Sequence, residues 1–384
     1  MRKYKKYTIT LLKKYVFKIL NIYYILTTKV KDKKILFLSD TRNKLEGNLK
    51  YVFDEINNDY EKIVILKSDR RDKRGFKKTL ILLYHLSTSK YIVLDDLNKS
   101  TEYMFLRKKQ EIHQLWHACG ALKKFGYSNH NLKKIHKGYK KYTKVYVSSD
   151  NVRENYAEAF QLDLSKIFSL GVPRTDLYFN NKKMEQIKKD FYKQYPDLKN
   201  KKIILFAPTY RGVAYKNEYY DLSQIEVEKL YKKIKKDYIF IFKWHPSMAN
   251  NDEIKKFMLS LKKYDDVFYN FTNYREIEDL LIVSDVLITD YSSCIFEFSL
   301  LKKPIIFFVP DLEKYIQEKG LYYDFDDYLI GTVCRDTSDL INALDIKKID
   351  VKKHQEFTSR FMSSCDGKSS KKIVYDMIEG KNKK

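Results

Sequence analysis

The stretch SDVLITDYSSCIFEFSLLKKPIIFF, residues 284–308, holds two short apolar runs joined by a helical pattern. SDVLITD (284–290) reads as a strand, Tyr291-Ser292-Ser293 leads into a helix, and KPIIFFVPD (303–311) reads as the next strand. Runs that are apolar on both faces suit a parallel sheet covered by helices. The same signature extends backward through KKIILFAPT (201–209), DYIFIFKWHP (237–246) and DDVFYN (265–270). An earlier series runs through KKILFLSD (33–40), EKIVILK (61–67), KYIVLDD (90–96), EIHQLWH (111–117) and TKVYVSSD (143–150).

Two such series predict an α/β protein of two Rossmann-like domains with parallel sheets facing a central cleft. The polar helical segment NNKKMEQIKKDFYKQYPDLKNK lies between the series and marks the junction. The expected domains are 31–185 and 186–384, with the terminal helix free to pack back on the first. In open parallel sheets, ligands bind beyond the carboxyl ends of the strands. The informative residues are therefore those that directly follow a strand.

The 384 residues suit two domains, and an apolar fraction of 44% is enough for sizeable cores. Lys+Arg 75 against Asp+Glu 50 gives a net charge of +25, which attracts phosphate-rich partners and anionic membranes. The lysines are spread along the chain, and no helix-turn-helix, RRM or zinc-finger framework accompanies them, so nucleic acid is not the expected partner. Cys119, Cys294, Cys334 and Cys365 form no CxxC pair and share no metal-ligand spacing with His, so they read as free thiols. HExxH, paired DxD and Walker A patterns are absent, and no metal or cofactor is expected.

Residues 1–30 begin with a basic stretch, but Lys13, Lys14 and Lys18 break the apolar run too often for a transmembrane helix. At about 100° per residue, Lys6, Lys13, Lys14, Lys18 and Asn21 fall within an arc of roughly 140°. Leu12, Val16, Ile19, Tyr23 and Leu26 lie mostly opposite. A basic amphipathic helix of this kind suits an anionic membrane surface, and it equally suits packing on its own domain.

Four clusters carry candidate chemistry. In HQLWHACGALKKFGYS (113–128), His117 follows a strand and precedes a turn of small residues, then Lys123 and Lys124, which are expected to bind the acceptor. A near-neutral imidazole there suits proton abstraction from a hydroxyl, whereas His113, inside the strand, reads as structural. In FAPTYRG (206–212), Thr209 and Arg211 follow a strand, and Arg211 offers a planar fork for phosphate. In FKWHPS (242–247), strand alternation would point Lys243 and His245 to one face, where His245 meets a phosphate oxygen. In the opening stretch, Thr289, Asp290, Ser292 and Ser293 sit at a helix N-terminus, which favours anions. Ser293 also suits a plain N-cap. Glu297, one helical turn further on, suits contact with a ribose or polyol hydroxyl of the donor, and Asp290 suits either the same role or an anchor for the turn.

The ordered set WHACGALKKFG, GVPRTDLYF, FAPTYRG, KWHP, TDYSSCIFEFSLLKKPIIFF, DLEKY (311–315) and DGKSSKKI (366–373) resembles the CDP-glycerol glycerophosphotransferase family of wall teichoic acid synthesis. The resemblance spans about residues 35–380. It implies a GT-B-like fold, with an acceptor domain first and a CDP-donor domain second. It further implies CDP-glycerol or CDP-ribitol as donor, a lipid-linked anionic polymer as acceptor, CMP as product, and work at the cytoplasmic face of the membrane. By the same resemblance, His117 is the base on the acceptor hydroxyl and His245 lies near the donor pyrophosphate. Arg211, Thr289, Asp290, Ser292 and Ser293 map to the donor side. Many glycerol-phosphate members read WHGTPLK where this chain reads WHACGALKK, a form closer to members that handle ribitol phosphate or longer polymers. Two other readings fit less of the sequence: a UDP-sugar transferase or epimerase of the same architecture, and a non-enzymatic polyanion binder. Oligomeric state is not legible.

Overall fold

The computed structural model describes residues 2–67, 74–129, 136–212, 218–274, 276–345 and 349–380, with side chains from residue 14 onward. The chain divides into two compact units. Unit one comprises Met1–Ala118, Phe125–Asp176 and Ser363–Lys384; unit two comprises Cys119–Lys124 and Leu177–Met362.

Unit one is built on a six-stranded sheet. Its strands are β1 (Lys31–Ser39), β2 (Glu61–Leu66), β3 (Ser89–Leu94), β4 (Glu111–Gln114), β5 (Lys144–Tyr146) and β6 (Ile167–Phe168). The order is β2-β1-β3-β4-β5-β6, and the neighbours pair in parallel. Unit two repeats the plan with β7 (Lys202–Phe206), β8 (Tyr238–Phe242), β9 (Phe268–Asn270), β10 (Val286–Thr289), β11 (Ile305–Phe308) and β12 (Thr332–Cys334). Their order is β12-β11-β10-β7-β8-β9, again parallel. In each sheet the order reverses once, between β1 and β3 and between β7 and β10. Those switch points are where strand-end loops diverge and leave room for a ligand.

The central strands are fully buried, as their unbroken apolar runs require: Ile35 to Leu38 and Ile203 to Leu205 are 0% exposed. Ile35, Phe37, Val52 and Val93 form one core together with Ile373, Val374, Met377 and Ile378 of the C-terminal segment. Lys144 and Tyr146 add a paired anchor, both reaching the carboxylate of Asp376 at 2.7 and 2.9 Å. A second core joins Phe206, Phe240, Phe242 and Trp244 of unit two.

The division falls at 176/177 rather than 185/186. Helix Asn181–Gln194 places Phe191 against Phe271 and Tyr274, which commits that helix to unit two. The segment Cys119–Lys124 also joins unit two, through Lys124 N–H to Gly320 O (3.1 Å), Tyr322 N–H to Leu122 O (3.0 Å) and Tyr328 O–H to Ala121 O (2.7 Å). Gly120 makes this docking possible. It adopts φ +60°, and a Cβ there would lie 2.4 Å from the Phe296 ring.

Helix Arg2–Thr27 packs on helix Phe76–Thr88 by its polar side. Asn21 is 0% exposed; it donates to Ser87 Oγ and accepts from Phe105 N–H. Arg107 caps the helix at the carbonyls of Tyr24 and Ile25, where a cation meets the negative end of the helix dipole. Val16, Ile19, Tyr23 and Leu26 are left exposed. Among the described residues, no helix is long and apolar enough to cross a membrane.

Candidate functional site

In unit one, β4 ends at Gln114 and the chain turns sharply. Trp116 takes φ +56°, a left-handed conformation that costs a bulky residue of order 1–3 kcal/mol and persists only when its surroundings enforce it. Three side chains enforce it here. Gln114 Oε1 accepts from Trp116 N–H at 2.9 Å, Asn48 Nδ2 donates to Trp116 O at 2.8 Å, and Arg174 donates to His117 O at 2.9 Å. Asn48 also accepts from the backbone N–H of Arg174, so GVPRTDLYF braces the WH turn. The His117 ring lies over Trp116 with centroids 4.4 Å apart and remains 46% exposed. Its Nδ1 lies 3.6 Å from Asp96 Oδ1. Beside Asp96, Asp95 is buried against Arg42 (3.0 Å), and burial pushes its carboxyl up to about 6 despite that guanidinium.

His113 is structural, as its position inside a strand predicts. It is fully buried between Tyr146 O–H (2.8 Å) and Glu111 (3.1 Å). Asp96, Asn48 and Arg174 are functional candidates that the sequence reading passed over.

In unit two, the loops after β7 and β10 meet at the switch point, and a buried ion cage joins them. Arg211 sets Nε and NH2 on the Asp311 carboxylate at 2.7 and 2.8 Å, and NH1 on Asp290 at 2.7 Å and on Thr209 O. Tyr220, Tyr291 and Tyr315 surround the guanidinium, each ring centroid 5.0–5.1 Å from Cζ. Burial disfavours the charge, but the two carboxylates outweigh it and raise the pKa of Arg211.

The bonds in and around the cage bear on four donor-side expectations, and for Asp290 they select the anchor role over the ligand role. Arg211 is committed to carboxylates of its own unit, because its planar fork matches them as well as it matches phosphate. Asp290 anchors the turn: besides Arg211, it accepts from Thr209 N–H and Tyr291 N–H. Thr209 serves the cage by its backbone. Thr289 is fully buried and donates to Ala207 O at 2.7 Å. Ser292 and Ser293 are half-buried. Ser292 Oγ accepts from Cys294 N–H, and Ser293 occupies the N-cap position of helix Cys294–Leu300 without a side-chain capping bond. Glu297, one turn in, is 2% exposed.

A further correction concerns β8. The strand ends at Phe242, so alternation stops before the KWH motif. Lys243 turns inward to Thr272 O (2.9 Å), and burial lowers its pKa to about 8. His245 is exposed, beside the Tyr210 ring. Its Nδ1 accepts from the backbone N–H of Ser247 at 3.2 Å and lies 2.9 Å from Ser247 Oγ. Lys123 and Lys124, expected on the acceptor side, belong to unit two. Lys123 is partly buried; burial lowers its pKa to about 8, opposed by the Asp290 carboxylate. Among the described residues, no group of three His, Cys, Asp or Glu side chains is placed to hold a metal ion.

Residues 20–379 match the family described as CDP-glycerol:poly(glycerophosphate) glycerophosphotransferase. The chain belongs to this family. It is 38% identical over 356 residues to the teichoic acid poly(ribitol-phosphate) polymerase of Bacillus spizizenii, an alignment covering 91% of this chain and 56% of that relative. It is 32% identical over 361 residues to the teichoic acid ribitol-phosphate primase of the same organism, covering 90% of each. The chain thus spans little more than half of the first relative and most of the second. The wall teichoic acid polymerase TagF shares the fold with a TM-score of 0.77 at 23% identity, covering 99% of this chain and 98% of that one. The fold is therefore α/β and GT-B-like.

Proposed function

We propose that this protein transfers ribitol phosphate or glycerol phosphate from a CDP-alditol to a hydroxyl of a lipid-linked, teichoic-acid-like polymer, releasing CMP. One observation carries this reading. The residues singled out by the sequence motifs, His117, Arg211, His245, Ser292 and Ser293, all lie on loops at the carboxyl ends of β4, β7, β8 and β10, where this architecture binds ligands. CDP-ribitol is the favoured donor, because relatives named for ribitol phosphate match at 38% and 36% identity.

In the proposed reaction, the acceptor oxygen bonds to the phosphorus that carries the alditol, and His117 takes the hydroxyl proton. The bond from that phosphorus to the CMP oxygen breaks, and its electron pair leaves with CMP. His245 and the hydroxyls of Ser292 and Ser293 stabilise the phosphate charge, while Arg211, Asp290 and Thr209 hold the turn that presents those hydroxyls. Positioning and electrostatics supply most of the acceleration in such transfers. No metal or cofactor is assigned a role.

The exposed apolar stripe of helix Arg2–Thr27 supports peripheral attachment to an anionic membrane, at the cytoplasmic face where a CDP-linked donor would be available. Replacing Ile19 and Leu26 with Glu should release the protein from anionic vesicles; unchanged partitioning would remove this part of the reading.

The decisive assay offers CDP-ribitol and CDP-glycerol in parallel, each with a lipid-linked primer, and measures CMP. Primer-dependent CMP from one donor identifies the substrate. CMP from neither, with intact fold, would overturn the reading and turn attention to UDP-linked donors.

A further inference from the structure

The two strand-end histidines have opposite surroundings at the same ring atom. His117 Nδ1 lies 3.6 Å from the carboxylate of Asp96, a group that only accepts hydrogen bonds when ionised. His245 Nδ1 accepts a backbone N–H, that of Ser247, at 3.2 Å, a group that only donates, and the Ser247 hydroxyl 2.9 Å away can donate to the same nitrogen. A neutral imidazole carries one proton, and the partner of one nitrogen decides which nitrogen holds it.

We propose that the chain sets its two histidines in opposite tautomers: Asp96 keeps the proton of His117 on Nδ1, so Nε2 is the base, while the Ser247 N–H keeps His245 Nδ1 unprotonated, so Nε2–H is a donor. This rests on the transfer reading above and sharpens it. A base must offer a lone pair to the acceptor hydroxyl. A group that stabilises a phosphate oxygen must offer a hydrogen.

The placement of Asp96 is built, not incidental. β3 and β4 pair in parallel with Leu94 opposite Gln114, so the residues just beyond each strand end become neighbours. Gln114 then ties the two loops together: Nε2 donates to Asp96 O at 3.2 Å, and Oε1 accepts from Trp116 N–H. Asp96 Oδ1 is fixed by Leu97 N–H at 2.6 Å. The remaining 3.6 Å to the imidazole exceeds a hydrogen bond, a gap of the kind that closes when substrate binds. Asp96 is thus a positioning residue. At His245 the device is local: Pro246 starts a 3₁₀ turn that brings the Ser247 N–H back to the ring.

The test is long-range proton–nitrogen NMR of the imidazoles in the full chain. Among the seven histidines, His117 and His245 are identified by the loss of their signals in His117→Gln and His245→Gln. The expected result is a protonated Nδ1 for His117 and a protonated Nε2 for His245. In Asp96→Ala, the Nε2–H form of His117 should appear, with kcat falling roughly 10–100-fold, as for partners that orient a functional imidazole. KM for donor and acceptor should stay within about twofold, since only transition-state interactions are lost. The same tautomer at both histidines of the wild type would overturn the proposal, as would an Asp96→Ala protein that keeps both the His117 tautomer and its turnover. The wild-type spectra decide the matter even where that variant fails to fold. They also decide it independently of CMP release, so a failed transfer assay would sink the function without touching this result.

Discussion

The WH turn of unit one and the DYSS turn of unit two do comparable work by different physical means. The first is braced by Asn48, Gln114 and Arg174 acting on backbone groups. The second is braced by a buried ion cage, Arg211 between Asp290 and Asp311. Bonds from three separate side chains, two amides and the Arg174 guanidinium, fail one at a time. An ion cage is costly to bury and fails abruptly, because removing one member strands the others as uncompensated charges. The consequence for function also differs. Unit one holds a strained residue beside a half-exposed imidazole, whereas unit two holds a loop that carries the half-buried Ser292 and Ser293.

The largest expected effect is on chemistry. His117→Ala should lower CMP release by about 10² to 10⁴-fold, the usual contribution of a general base, with unchanged thermal unfolding. Near-normal turnover in protein free of wild type would move the base elsewhere and leave the WH turn without its purpose.

Arg211→Met comes next and acts on stability. It should destabilise the protein by about 3–5 kcal/mol by leaving Asp290 buried without its counter-charge. Replacing Arg211, Asp290 and Asp311 together with apolar residues should restore much of that stability without restoring activity. A small loss for the single variant, measured by denaturant unfolding, would mean the cage is not the brace.

The pH dependence of the two regions should have opposite sign. Asp95 in unit one is pushed up to about 6 by burial, above its ordinary value of 3.8. The folded state then binds the extra proton, so this group's contribution to stability is present at low pH and declines between about pH 4 and 6. A shift of about two units corresponds to roughly 2–3 kcal/mol. Asp311 in unit two is penalised by burial, yet the Arg211 guanidinium holds its pKa below the ordinary value. Its contribution is present above pH 3.8 and fades as pH falls through the lower folded value. Asp95→Asn should flatten the decline between pH 4 and 6 and leave the acid limb below it intact. An unchanged slope across pH 4–6 would place Asp95 in a more polar setting.

Much of this was legible in the sequence, and the limits have physical causes. The long central strands announced themselves by continuous apolar runs. β6 and β12 did not, because strands of two and three residues at sheet edges carry no pattern of their own. His117 and His245 stood out as strand-end histidines. Asp96 did not, since an Asp-Asp pair after a strand reads as ordinary loop chemistry until the β3–β4 register brings it beside His117. Arg211 was visible but misread. Nothing in FAPTYRG tells phosphate from carboxylate, and Asp311 lies 100 residues away. Lys243 was misread because strand alternation was carried past Phe242, the last residue of β8.

The smallest expected effect tests one amide of the WH turn's brace. Asn48→Ala removes the donor to Trp116 O and the acceptor for Arg174 N–H, and should cost about 1–3 kcal/mol. Its effect on turnover should exceed its effect on substrate affinity. Freed at one carbonyl, Trp116 can relax from φ +56° toward ordinary backbone and carry the His117 ring out of line. A misplacement of about 1 Å can cost on the order of 10²-fold in rate. If kcat and KM instead change in equal measure, or only stability falls, then Asn48 merely joins two loops. The strain at Trp116 would then be maintained by Gln114 and Arg174 alone. The comparison predicts the first outcome, because a turn held by several weak bonds loses its alignment before it loses its fold.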